Sequence, residues 1–142
     1  MKKVVLFLLF FSVIVFICRG ETHNLISHEE FLQQSQTGNF ILYVSNQSFT
    51  ITSVDITIMI DGKNAVAADF VVGNQHKWIE YTFRLAPGNH KLIATSKKGS
   101  AKTEKIFEIH DKHWAVVDFW FSKKDKYGHF SFSIQNSPIG FM

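Results

Sequence analysis

Two groups of residues in this 142-residue chain have types and spacing suited to chemistry. The first is His110-Asp111-Lys112-His113, with His129 as a more distant companion. Imidazoles and carboxylates ligate a divalent metal when three or four converge at about 2 Å. A polar corner between two strands, with solvated histidines, uses the same residues. The second group is aromatic. Trp114, Val116, Asp118 and Trp120 alternate with Ala115, Val117, Phe119 and Phe121. Successive strand side chains point to opposite faces, so one row lines a core while the other faces outward or lies under a covering segment. The phenylalanine row reads as core. The tryptophan row, joined by Trp78, reads as a partly exposed platform able to stack on sugar rings or anchor a protein partner. The competing expectation is that Phe31 and Leu32 fold over that row and close it. No serine stands in a Gly-x-Ser-x-Gly context, and Asp118 and Glu80 are isolated acids within strands. No catalytic residue is therefore assigned, and no cofactor is expected.

The elements that must position these residues are strands. Val54, Ile56, Ile58 and Ile60 alternate with Asp55, Thr57, Met59 and Asp61, which is the period of a half-buried strand. Asp61-Gly62 then reads as a tight hairpin turn, because Gly accepts positive φ. The same period runs through residues 40–45, 78–85, 90–96, 102–109, 114–122 and 129–135. Ala86-Pro87-Gly88-Asn89 and Lys97-Lys98-Gly99-Ser100 punctuate it as turns. The spacing predicts an all-β chain: an antiparallel β-sandwich, immunoglobulin-like or transthyretin-like, of about seven to eight strands over residues 40–142. No βαβ pattern occurs, which excludes the doubly wound nucleotide-binding folds. Residues 21–39 read as a lead-in. Ser27 and Glu30 have capping-box spacing ahead of Phe31 and Leu32, which predicts a short helix over 27–35 ending near Gly38.

The N-terminal twenty residues read as a cleaved export signal. Lys2 and Lys3 precede an apolar run from Val4 to Cys18, broken only by Ser12. That run of 15 residues is shorter than the roughly 20 a spanning helix needs, and Arg19 closes it. Cleavage is expected before Glu21, giving a secreted, periplasmic or envelope protein with no membrane span. Lipidation at Cys18 is the minor alternative, since Phe16-Ile17 is a poor lipobox. Removing Lys2, Lys3 and Arg19 from the 15 basic residues leaves 12, against 12 acidic residues. A balanced chain argues against nucleic-acid binding by bulk charge. Cys18 is the one cysteine, so the exported domain must rely on its core rather than on disulfides. Asn46-Gln47-Ser48 is a glycosylation sequon where the host uses one.

Residues 54–121, about half the chain, resemble a PEGA-type domain. The likeness rests on Val54-Asp55-Ile56-Thr57-Ile58-Met59-Ile60-Asp61-Gly62-Lys63, on Phe83-Arg84-Leu85-Ala86-Pro87-Gly88-Asn89-His90-Lys91-Leu92, and on the run that ends at Trp114 to Phe121. The family's Gly-x-x-Pro between the first two segments is absent; Ala67 to Val72 occupies its place. The resemblance implies a small exported β-sandwich without catalytic residues. The functional expectation is an exported, non-enzymatic binding or structural module for a protein or carbohydrate partner, with Trp114, Asp118, Trp120 and Trp78 as its binding residues. The alternative is a small metal- or ligand-binding protein using His110, Asp111 and His113.

Overall fold

The structure is a computed structural model that describes residues 30–72 and 77–141. The expected signal segment and residues 21–29 of the lead-in lie outside the described residues. Eight strands follow in order: β1 (Phe40–Asn46), β2 (Ser53–Ile60), β3 (Lys63–Val71), β4 (Ile79–Phe83), β5 (Gly88–Ser96), β6 (Ala101–Ile109), β7 (His113–Trp120) and β8 (His129–Gln135). They form two four-stranded sheets, β4-β1-β7-β8 and β3-β2-β5-β6. The fold is the expected β-sandwich. Among the described residues no helix is long and apolar enough to cross a membrane.

The core lies where the period of two puts it. Along β2, Val54, Ile56, Ile58 and Ile60 are buried while their alternates are half-exposed. Phe40, Leu42 and Val44 of β1 and Ala115, Val117 and Phe119 of β7 meet them from the other sheet. The β2–β3 turn has positive φ at both central residues, Asp61 (50°) and Gly62 (81°), as a two-residue type I′ hairpin requires. A second link then holds that turn. His90 Nδ1 bonds Asp61 Oδ2 at 2.6 Å, and the Lys91 N–H donates to Asp61 Oδ1 at 2.9 Å. The Asp-Gly turn and the Pro-Gly-x-His turn are thereby clasped to each other.

Two expectations are corrected. Among the eight strands the pairing is antiparallel except at one place, because β1 and β7 run parallel. The other sheet's hairpins intervene between these two strands, and a long crossover lets them align in the same direction. The predicted helix is also absent over its described part, residues 30–35. Phe31 bridges Asn64 of β3, and Gln34 bridges Phe83 of β4. The Leu32 N–H donates to the Asn64 carbonyl at 2.7 Å, and the Ser35 N–H donates to the Thr82 carbonyl at 2.8 Å. A nine-residue helix is marginal alone. The extended segment instead satisfies unpaired backbone groups on two sheet edges and ties the sheets together. Gly38 permits this approach, since a Cβ there would meet the Phe83 carbonyl oxygen at 2.2 Å.

Strand directions sort the connections by end. The β1–β2, β3–β4, β5–β6 and β7–β8 connections leave one end of the sandwich, and the other three leave the opposite end. Bonds from the Phe49 N–H to the Phe121 carbonyl (3.1 Å), Val72 N–H to the Thr52 carbonyl (2.7 Å) and Gly128 N–H to the Gly99 carbonyl (2.8 Å) join the first set.

Candidate binding face

The outer face of the β4-β1-β7-β8 sheet is read directly from its register. One row across it is Thr82, Ile41, Trp114 and Gln135; the next is Glu80, Tyr43, Val116 and Ser133. Then come Ser45, Asp118 and Ser131, and finally Trp120 beside His129. The two-face reading of β7 holds: Ala115, Val117 and Phe119 are fully buried, while Trp114, Asp118 and Trp120 are half-buried on the outside. Trp78, just ahead of β4, lies beside them. Its Nε1 donates to Asp118 Oδ1 at 2.9 Å.

Asp118 is the polar centre of the face. Ser45 Oγ donates to the same Oδ1 at 2.6 Å, and Gln47 Nε2 donates to Ser45 Oγ at 2.9 Å. Burial raises the Asp118 carboxyl, the two donors lower it, and burial prevails, leaving it above its ordinary value. Beside it, the Tyr43 phenol is raised by burial and then by its bond to Glu80 and that carboxylate's charge. Trp120 Nε1 donates to Ser131 Oγ at 3.1 Å, and Lys112 Nζ lies 5.4 Å from the Trp114 ring centroid. The face thus alternates flat aromatic surface with hydroxyl, amide and carboxyl groups.

What lies on this face is not the lead-in. Phe31 and Leu32 sit at the β3 edge of the other sheet, and Phe31 stays 57% exposed. The C-terminal segment takes that position instead. It leaves β8 at Gln135, opposite Trp114, and brings Phe141 onto Trp78, in the region of Asp118. The Phe141 and Trp78 rings stack at 4.2 Å and 20°, and Tyr43 meets Phe141 edge-on at 4.9 Å. Its path crosses the sheet, in keeping with Val116 being only 8% exposed on an outward position. Tyr43, Ser45 and Phe141 had no distinguishing signal in the sequence, since strand pairing and the return of the tail are non-local.

The histidine group is arranged differently. His110 Nε2 lies 3.2 Å from Glu108 Oε2, and His113 Nδ1 lies 3.1 Å from the Asp111 carbonyl. His129 pairs with Trp120, at the far end of β7 from His113, about 23 Å along the strand. Among the described residues no three His, Cys, Asp or Glu side chains are placed to hold a metal ion. The His90–Asp61 pair resembles a general base and its orienting acid, but His90 Nε2 bonds the Ala86 carbonyl at 2.7 Å. At the sequon, Asn46 is buried, and its Nδ2 donates to the Ile51 and Phe70 carbonyls at 3.1 and 3.0 Å. That amide holds a loop and is not presented at the surface. Comparison with protein families, curated proteins and solved structures finds no match to the chain.

Proposed function

We propose that this protein is an exported, non-enzymatic β-sandwich module that binds a carbohydrate along the outer face of the β4-β1-β7-β8 sheet. The observation that carries the reading is the grouping of Trp78, Trp114 and Trp120, all half-buried, on one face with Asp118, Ser131, Ser133 and Gln135 between and beside them. A sugar ring has an apolar face that packs on an aromatic ring and a rim of hydroxyls that bond polar side chains. Trp114 and Trp120 are six residues apart, about 20 Å along the strand, so they suit an extended chain of sugars rather than one ring. The export signal at residues 1–20 supports action at the envelope or outside the cell. The partial PEGA-type resemblance agrees with a module that binds rather than catalyses.

A protein partner is the second reading, and Phe141 favours it: a phenylalanine from an irregular segment already packs between Trp78 and Tyr43. A glycan array followed by calorimetric titration tests the proposal. Trp120→Ala should weaken glycan binding about 30-fold, the loss of an aromatic anchor. No retained glycan, or affinity unchanged by replacement of Trp78, Trp114 and Trp120, would exclude the carbohydrate reading.

A further inference from the structure

The balanced charge of residues 21–142 conceals a separation that only the fold produces. At the end where β1–β2, β3–β4, β5–β6 and β7–β8 connect, the described loops carry Lys77, Lys97, Lys98, Lys123, Lys124 and Lys126 against one acid, Asp125. Two strand acids also lie there: Asp69 meets Lys98 Nζ at 2.9 Å, and the Asp55 carboxylate accepts from the Lys97 and Lys98 N–H groups at 3.0 and 2.8 Å, so the lysines remain in excess by three. The opposite connections and the 30–39 segment carry Arg84 and Lys112 against Glu30, Asp61 and Asp111.

Of the exposed large apolar side chains among the described residues, Phe49, Val71, Ile79 and Tyr127 lie at the lysine end, while Phe31, Ile106 and Phe141 lie elsewhere. Phe49, in the β1–β2 loop, is 73% exposed; Tyr127, in the β7–β8 loop, is 57% exposed. Val71 and Ile79, at the strand ends that flank the β3–β4 connection, are also exposed. Phe49 is held there by its N–H bond to the Phe121 carbonyl, which ties the two aromatic loops together. Lys126 Nζ lies 5.2 Å from the Tyr127 ring centroid, so cation and aromatic share one surface.

We infer that this end docks on an anionic bilayer surface, with Phe49 and Tyr127 entering the headgroup layer and the lysines meeting lipid phosphates. Lysines beside an anionic membrane and aromatic side chains at its interface are the two contributions that hold a peripheral protein there. A soluble polyanion would complement the lysines but would leave Phe49 in water. The site is distinct from the sheet face proposed to bind glycan, and neither proposal depends on the other. With the loop end on a membrane, that face would stand along the side of the sandwich, open to a second ligand.

Vesicle cosedimentation tests the inference, using the exported protein with its N-terminus established by intact mass. Vesicles of phosphatidylcholine alone are compared with vesicles that also contain phosphatidylglycerol, at about 0.1 M and about 0.5 M salt. Binding is read as the ratio of anionic to neutral affinity, on protein that begins at Glu21, because a retained leader would bring Lys2, Lys3 and Arg19 to the anionic vesicles. The expected result is preference for anionic vesicles, weakened at the higher salt. Replacing Lys123, Lys124 and Lys126 together with Ala should reduce that affinity about fivefold per lysine, on the order of 100-fold. Phe49→Ser should reduce it about tenfold while circular dichroism stays unchanged. Equal affinity for both vesicle types would overturn the inference. So would Phe49→Ser binding as tightly as the parent, which would mark the end as a site for a soluble polyanion.

Discussion

Replacing His90 with Ala should weaken the fold and also remove a pH dependence from it. Both ring nitrogens face acceptors: Nδ1 meets Asp61 Oδ2 at 2.6 Å and Nε2 meets the Ala86 carbonyl at 2.7 Å. Each nitrogen must therefore carry a proton, and the ring in this geometry is an imidazolium. The His90 side chain is 9% exposed and that of Asp61 is 46% exposed. Solvent screens the charge on the Asp61 side, so hydrogen bonding is the sounder basis for a magnitude. A bond to a charged group contributes about 1.5–3 kcal/mol, and Asp61 keeps water and the Lys91 N–H after the ring is removed. Taking the lower bound for both bonds gives a loss of about 3 kcal/mol on the acid side of neutrality. Burial pushes His90 down, but the Asp61 bond, the Ala86 carbonyl and the Asp61 charge together raise it above its ordinary 6.5. A raised histidine contributes stability below its unfolded value, and that stability is lost as pH rises through the folded value. The parent protein should thus become less stable from about pH 6.5 upward, while His90→Ala should show a flatter profile over that window. Urea unfolding at a series of pH values from about 5 to 9 measures both effects. A parent stability that does not fall above about pH 6.5, or a variant with the same fall, would refute the doubly protonated ring.

Three further outcomes follow from burial and bonding. Ile58 is completely buried, so Ile58→Ala should cost about 2–5 kcal/mol by denaturant unfolding. On β7, Phe119→Ala should cost about 3–5 kcal/mol, whereas Trp120→Ala, on the half-buried outer row, should cost about 1 kcal/mol. Equal losses at these neighbouring positions would place both rows in the core. Asn46→Ala removes the donor to the Ile51 and Phe70 carbonyls and should lower stability by about 1–3 kcal/mol in a thermal melt.

The sequence was sufficient for what depends on local geometry. Hydrophobic period placed Ile56 and Ile58 inward and Thr57 and Met59 outward, because strand side chains alternate regardless of what the strand pairs with. Asp61-Gly62 marked its hairpin because few residue pairs accept positive φ twice in succession. The same rule separated the Phe119 row of β7 from the Trp120 row. Tertiary structure decided everything that depends on which segment lies beside which. Period two carries no information on strand direction, so the parallel β1–β7 pair was not legible. The capping-box pattern at Ser27 and Glu30 was a local signal, and over residues 30–35 the open edges at Asn64 and Thr82 outweighed it. Phe141 reached Trp78 because the tail turns back over the sheet, and nothing in residues 136–141 states that destination. Charge shows the difference most plainly. Composition reports only that acids and bases balance over residues 21–142, whereas strand directions bring loops dozens of residues apart to one end, the end whose described loops carry Lys77, Lys97, Lys98, Lys123, Lys124 and Lys126.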